Sequence, residues 1–190
     1  LINNIKIKKI IYTSSSSVYG DNNHSTETDQ VKPINFYASL KIANEKMIEK
    51  FSTENKIDYT ISRLFNMYGG NDRFSIISKL IKAINDNSEI TLTNNGSAVR
   101  DFIHINDVVK AYKVVLACNN LDIVNIASGE GKSINSILEF LNKKGYIVKF
   151  KNIETEEIET SIADNAKLIK LGQFNYFNSL EEYLIKSLKK

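Results

Sequence analysis

Tyr37 and Lys41 stand four residues apart at the start of a run that extends to Asn55. Apolar or small residues at Leu40, Ala43, Met47, Ile48 and Phe51 recur at helical spacing, so the run is predicted to be an amphipathic helix. Side chains four apart lie one above the other on a helical face. A phenol titrates near 10 and is a poor acid or base at neutral pH unless a cation stands beside it. An ammonium about 4 Å away contributes roughly 1–4 kcal/mol of Coulomb energy, or about one to three pKa units. Burial acts in the opposite direction, so the cation must win. A pair tuned in this way could exchange a proton with an alcohol. The spacing alone also suits a lysine snorkelling along an amphipathic helix. Its neighbours give it meaning: Ile10-Ile11-Tyr12-Thr13-Ser14-Ser15-Ser16-Ser17-Val18-Tyr19-Gly20 upstream, and Arg63-Leu64-Phe65-Asn66-Met67-Tyr68-Gly69 downstream.

Those side chains need a scaffold, and the chain's length and composition allow one. Its 190 residues suffice for one sizeable core or two small lobes. A hydrophobic content of 42% and a charged content of 25% describe an ordinary globular protein. The net charge of +3 is mild, and lysines alternate with acidic residues along helical patterns, which argues against a nucleic-acid partner. Cys118 is the single cysteine, so no internal disulfide forms and a reducing, cytoplasmic setting is expected. His24 and His104 lie far apart and no metal-ligand spacing occurs, so no metal is expected. No apolar run approaches the roughly 20 residues of a membrane span. Leu1 leads almost directly into a buried-looking strand, so the sequence is expected to be the carboxy-terminal part of a longer chain.

In order, Lys8–Thr13 reads as a central parallel strand that turns abruptly polar where a ligand crevice would open. Asp21–Gln30 reads as a polar loop, and Pro33 keeps Lys32 out of the helix that follows. Asp58–Leu64 is a second strand, so strand, helix and strand form a parallel βαβ unit. Further expectations are a helix over 74–87, a strand over 90–93, a turn at Asn94-Asn95-Gly96 and a strand over 99–105. Asp107 is expected to cap a helix over 108–118, with Cys118 in the core. A strand at 123–127, a helix capped by Ser133 and ending at Lys144, a strand at 146–150 and a last helix at 179–188 complete the pattern. The acidic segment 151–160 fits no element. Gly129-Glu130-Gly131-Lys132-Ser133 imitates a phosphate loop, but Ile126 stands where such a loop needs glycine.

Four motifs together resemble the extended short-chain dehydrogenase/reductase family of nucleotide-sugar epimerases, dehydratases and reductases. They are Ser14-Ser15-Ser16-Ser17-Val18-Tyr19-Gly20, Pro33-x-x-x-Tyr37-x-x-x-Lys41, Arg63-Leu-Phe-Asn66-x-Tyr-Gly, and Gly96-x-x-x-Arg100-Asp101-Phe102-x-His104-x-x-Asp107. The resemblance implies an α/β fold: the carboxy-terminal part of a Rossmann-like parallel sheet plus a smaller α/β substrate-binding domain. Residues 1–70 and about 104–128 would form the truncated NAD(P)-binding domain, and residues 71–103 and 129–190 the substrate-binding domain. It implies Ser15, Tyr37 and Lys41 as the catalytic set, each also touching cofactor, with Ser15 touching substrate too. Phe65 would sit beside the nicotinamide of NAD or NADP, Asn66 would contact the substrate's phosphate, and Arg100 would pair with its diphosphate. His104 is expected to be structural or to support the site. A homodimer is the implied assembly of a complete member.

Two departures from the family pattern shape the expectation. Ser16 and Ser17 stand where the family's 4,6-dehydratases carry Asp-Glu, and two serines cannot serve as acid and base near neutral pH. Epimerisation or ketosugar reduction of a nucleotide-activated sugar, in polysaccharide or glycoconjugate synthesis, is therefore expected over dehydration. Among the eight glycines none forms the glycine-rich turn that holds a dinucleotide pyrophosphate. The alternative is accordingly a non-catalytic remnant or binding module lacking its cofactor half. The 190-residue chain is predicted to bind dinucleotide weakly or not at all, and to associate through its first strand's open edge. Titration with NAD alongside sedimentation tests this; a soluble monomer with micromolar affinity would contradict it.

Overall fold

The computed structural model describes residues 6–188. Strand β1 (Lys9–Ser15) leads into a 3-10 turn at Ser16–Tyr19, and β2 (Asn22–Ser25) lies within the segment expected to be loop. Helix α1 (Phe36–Asn55) follows, then β3 (Asp58–Leu64) and the short β4 (Asn66–Tyr68). Next come α2 (Ile76–Asp86), β5 (Glu89–Thr93), β6 (Val99–His104), α3 (Ile105–Ala117) and β7 (Ile123–Ile126). The chain closes with β8 (Gly131–Ser133), α4 (Ile134–Lys143), β9 (Lys149–Ile153), β10 (Thr160–Ala163), α5 (Ala166–Gly172) and α6 (Leu180–Leu188). No helix of the described residues is long and apolar enough to cross a membrane.

Three parallel strands in the order β1-β3-β7 form the first sheet, with Ser15 opposite Leu64 and Leu64 opposite Ile126. All three carboxyl ends therefore finish at one level, where a parallel α/β sheet opens its crevice. The second sheet runs β2-β10-β6-β4, with β8 antiparallel on β6. A third pairs β5 with β9, which places β9 over 149–153 rather than over the expected 146–150. One apolar core joins α2, α4 and α6 around Tyr68, Leu80, Leu141 and Leu184. A second gathers Ile103, Val115, Val124 and Leu168 between α3, α5 and the first sheet, with Cys118 packed against it only partly buried.

Helix α1 corrects the sequence pattern. Asn35 caps it by accepting from the Ala38 amide at 2.8 Å, and Lys56 ends it in the left-handed region. Its buried positions are Ala38, Glu45 and Ser52, two turns apart, while Leu40, Met47 and Phe51 of the apolar stripe are exposed. The face toward the sheet is thus short and polar, which lets the helix approach the strands closely.

The cap of α3 also differs from expectation. His104, not Asp107, is the N-cap: its Nδ1 accepts from the Asn106 amide at 3.1 Å. Asp107 sits inside the first turn, fully buried, and accepts from the backbone amide and side-chain amide of Asn178 at 2.7 and 2.8 Å. The His104 ring packs edge-on against Tyr68 and Tyr183, each 5.2 Å away between centroids. Burial pushes the imidazole below its ordinary 6.5, against the opposing pull of Asp107 and with Lys110 adding to the fall. A folded-state value below the unfolded one means the unfolded chain takes up the proton first, so stability falls as pH drops below 6.5. His104→Asn keeps a capping oxygen without titrating in this range. Its urea midpoint should decline less than that of the unaltered protein between about pH 7.5 and 5.5; equal declines would contradict the assignment.

Candidate active site

At the carboxyl end of β1 the structure brings Lys41 beside Tyr37. The Lys41 Nζ lies 5.7 Å from the centroid of the Tyr37 ring and 5.1 Å from that of Tyr12, and donates to the Thr13 carbonyl at 2.9 Å. The ammonium is thereby tied to the strand two residues before Ser15. Tyr37 is 55% exposed, so its phenol is open to a ligand. Ser15 is half-buried and caps the 3-10 turn, its Oγ accepting from the Ser17 amide at 3.2 Å and the Ser17 hydroxyl at 3.0 Å. Among the described residues its own hydroxyl proton has no acceptor, so it remains a free donor at the strand end.

An ion pair seats this cluster. Arg63 on β3 donates from Nε to one Glu45 oxygen at 3.1 Å and from Nη2 to the other at 2.8 Å, and both side chains are 5% exposed. The Ser14 hydroxyl donates to the same carboxylate. Burial disfavours the Arg63 charge, but Glu45 and the Tyr19 phenol together outweigh it and hold its pKa above the usual value. The guanidinium also lies 4.7 Å from the Tyr19 ring centroid. Burial pushes the Tyr19 phenol up to about 12 against the pull of Arg63, and its hydroxyl donates to Asn125 at 2.7 Å. Glu45 is one helical turn beyond Lys41, so the pair fixes the register of the helix bearing Tyr37 and Lys41.

The other expected site residues fall elsewhere. Phe65 is buried in a small core with Val18, Tyr19, Ala127 and Ala163. Asn66 and Arg100 do meet: both line a cavity of 320 Å³ between α2, β5 and β6. Asn66 donates to the Asp101 carbonyl at 3.2 Å, and Arg100 pairs with Glu157 at 3.2 Å. Ser15, Tyr37 and Lys41 do not line that cavity. Asp101, next to Arg100, is fully buried and accepts from the Ser128 amide and hydroxyl, the Gly129 amide and the Ala163 amide. Burial pushes its carboxyl above the usual range, and these donors only partly pull it back. Gly129 adopts φ +82°, and a Cβ there would meet the Asn165 side chain at 2.8 Å, so the loop needs glycine to close over Asp101.

Comparison with known proteins agrees with this architecture. The model of the NAD dependent epimerase/dehydratase family matches residues 1–127, and the chain belongs to that family. A putative UDP-glucose 4-epimerase of Methanocaldococcus jannaschii is 30% identical over 142 residues, covering 71% of this chain and 46% of the relative. The UDP-glucuronate 4-epimerase of Thermodesulfobacterium geofontis is 27% identical, covering 97% of this chain and 59% of the relative. The chain thus spans about half the length of these curated relatives. Among solved structures, UDP-glucuronic acid 4-epimerase from Bacillus cereus, in complex with UDP-glucuronic acid and NAD, superposes with a TM-score of 0.90. The identity there is 26%, with 99% of this chain and 62% of that one covered. The Thermotoga maritima UDP-glucose 4-epimerase with UDP-glucose gives a TM-score of 0.85 at 28% identity, covering 96% of this chain and 62% of that one.

The motifs contain Arg63 without indicating a partner for it, and neither Glu45 nor Glu157 stands in any of them. For Glu45 a signal existed: it continues the Tyr37, Lys41 spacing by four more residues, onto the same helical face. Asp101→Ala would leave the buried Ala163 amide and the partly buried Ser128 and Gly129 amides without this acceptor, at up to about 1–3 kcal/mol each. Urea denaturation should show a loss of about 3 kcal/mol or more; a loss below about 1 kcal/mol would contradict this role.

Proposed function

We propose that this chain carries the proton-transfer and substrate side of an NAD-dependent enzyme that epimerises a nucleotide-activated sugar or reduces its keto form. The carrying observation is the placement of Lys41 against the exposed Tyr37 ring at the carboxyl end of β1, with the free Ser15 donor two residues beyond its anchor. The UDP-sugar complexes of similar proteins support a nucleotide diphosphate sugar as substrate.

In this reading the Ser15 hydroxyl donates to the sugar oxygen undergoing oxidation, and the Tyr37 oxygen takes the proton that leaves that sugar hydroxyl. Lys41 places its positive charge beside the Tyr37 ring and would hold the nicotinamide ribose hydroxyls. The nicotinamide cofactor would supply the hydride exchange at the sugar carbon (taken up and given back in epimerisation, given only by its reduced form in ketosugar reduction), and Ser15, Tyr37 and Lys41 are the residues that would hold it. Phe65 closes the nicotinamide side from within the core, while Asn66 and Arg100 face the phosphates. A guanidinium suits a diphosphate because its planar donors bind two oxygens at once. Residues 1–70 and about 104–128 form the cofactor side, and 71–103 with 129–190 the substrate side. Ser16 and Ser17 favour epimerisation or reduction over dehydration.

Tyr37→Phe tests the reading in a polypeptide that supplies both halves of the cofactor site, assayed with a UDP-hexose and NAD. Turnover should fall by roughly 10²–10⁴-fold, with UDP affinity retained. Retained turnover would place the base elsewhere, and absent turnover in the unaltered protein would favour a non-catalytic binding module.

A further inference from the structure

The segment between β9 and β10, residues 154–159, carries four glutamates in six positions: Glu154, Glu156, Glu157 and Glu159. Its Glu157 lines the cavity in which Arg100 lies. Asn94 clips it in place, donating to the Thr155 carbonyl at 2.8 Å and accepting from the Thr155 amide at 3.0 Å. The same Asn94 side-chain amide donates to one Glu157 oxygen at 3.0 Å, and the other Glu157 oxygen accepts from Arg100 Nη2 at 3.2 Å. Arg100 Nη1 is committed to the carbonyls of Val99 at 2.9 Å and Glu159 at 3.4 Å. Both members of the ion pair are mostly buried, with side chains 20% and 23% exposed. Burial pulls the Arg100 pKa down, and the Glu157 and Asp21 charges oppose that.

Glu157 also lies on a boundary. It lines the 320 Å³ cavity with Asn66 and Arg100, and it lines a second cavity of 580 Å³ between the segment and the turn at Asn94 to Val99. Its side chain thus borders two spaces, and the clip between Asn94 and Thr155 is made without its carboxylate. We infer that Glu157 is an internal anion that occupies the Arg100 guanidinium and must be displaced by the diphosphate of the substrate. This rests on the reading of Arg100 as a diphosphate ligand. Glu157 then acts as a latch that weakens binding of any ligand bearing too little negative charge to compete for Arg100, and selects for a diphosphate over a neutral sugar. No bond is made or broken; one ion pair is exchanged for another.

Calorimetric titration of the 190-residue chain with UDP tests the latch. Glu157→Gln keeps the bond to Asn94 but removes the competing charge, and should tighten UDP binding roughly tenfold, as expected for one repelling charge removed within about 5 Å in a partly buried site. Glu156→Gln removes an equal charge from the exposed neighbour that does not touch Arg100, and should change affinity less than about twofold. Arg100→Met should abolish the binding. Unchanged or weaker UDP binding by Glu157→Gln, with Arg100→Met still abolishing it, overturns the latch and leaves the diphosphate reading standing. Binding that is indifferent to Arg100, or absent in every variant, overturns both.

Discussion

The Glu45–Arg63 ion pair is the constraint on which the placement of the site depends. The fully buried positions of helix α1 are Ala38, Glu45 and Ser52, so between two small residues the one long buried side chain is a charged one. Apolar faces slide over one another at modest cost. A two-point bond between a guanidinium and a carboxylate does not, because its geometry is planar and each oxygen has its own donor. Shifting α1 by one turn would strand two buried charges, at several kcal/mol per ion. Lys41 and Tyr37, one and two turns before Glu45, inherit that fixed register, and the Thr13 carbonyl receives Lys41 where β1 ends.

Asp101 does for the second sheet what Glu45 does for the first. From β6 it collects the amides of the loop after β7 and of β10, so three segments distant in sequence converge on one carboxylate. Its neighbour Arg100 is thereby held facing the cavity shared with Asn66, whose side chain is itself bonded to the Asp101 carbonyl. Two buried carboxylates thus fix two places in the fold: Tyr37 and Lys41 beside the end of β1, and Arg100 facing the cavity beside β6.

Much of this was legible in the sequence, for reasons that differ by element. β1, β3 and β7 were readable because parallel strands are short apolar runs, although β1 lies at the edge of its sheet, mostly half-buried, and not at the centre. Helix α2 was readable from its amphipathic pattern and α4 because Ser133 caps one. The Tyr37–Lys41 pair was readable because helical spacing determines which side chains meet. The orientation of α1 was not: Leu40, Met47 and Phe51 suggested an inward stripe, yet the sheet receives Glu45, whose partner lies 18 residues away. The cap of α3 was misplaced because Asp107 is a stronger capping residue by type than His104, and only the fold shows Asp107 committed to Asn178. The pairings of β2 with β10 and of Glu157 with Arg100 span more than fifty residues and leave no local periodicity to read.

A double-mutant cycle on Glu45 and Arg63 tests the central constraint most directly, with urea unfolding measured for Glu45→Gln, Arg63→Met and the double variant. If the pair seats α1, each single change strands a buried partner and the double change does not, so the coupling energy should reach about 2 kcal/mol or more. Additive losses, with a coupling energy near zero, would show that α1 finds its register without the ion pair and would contradict the account.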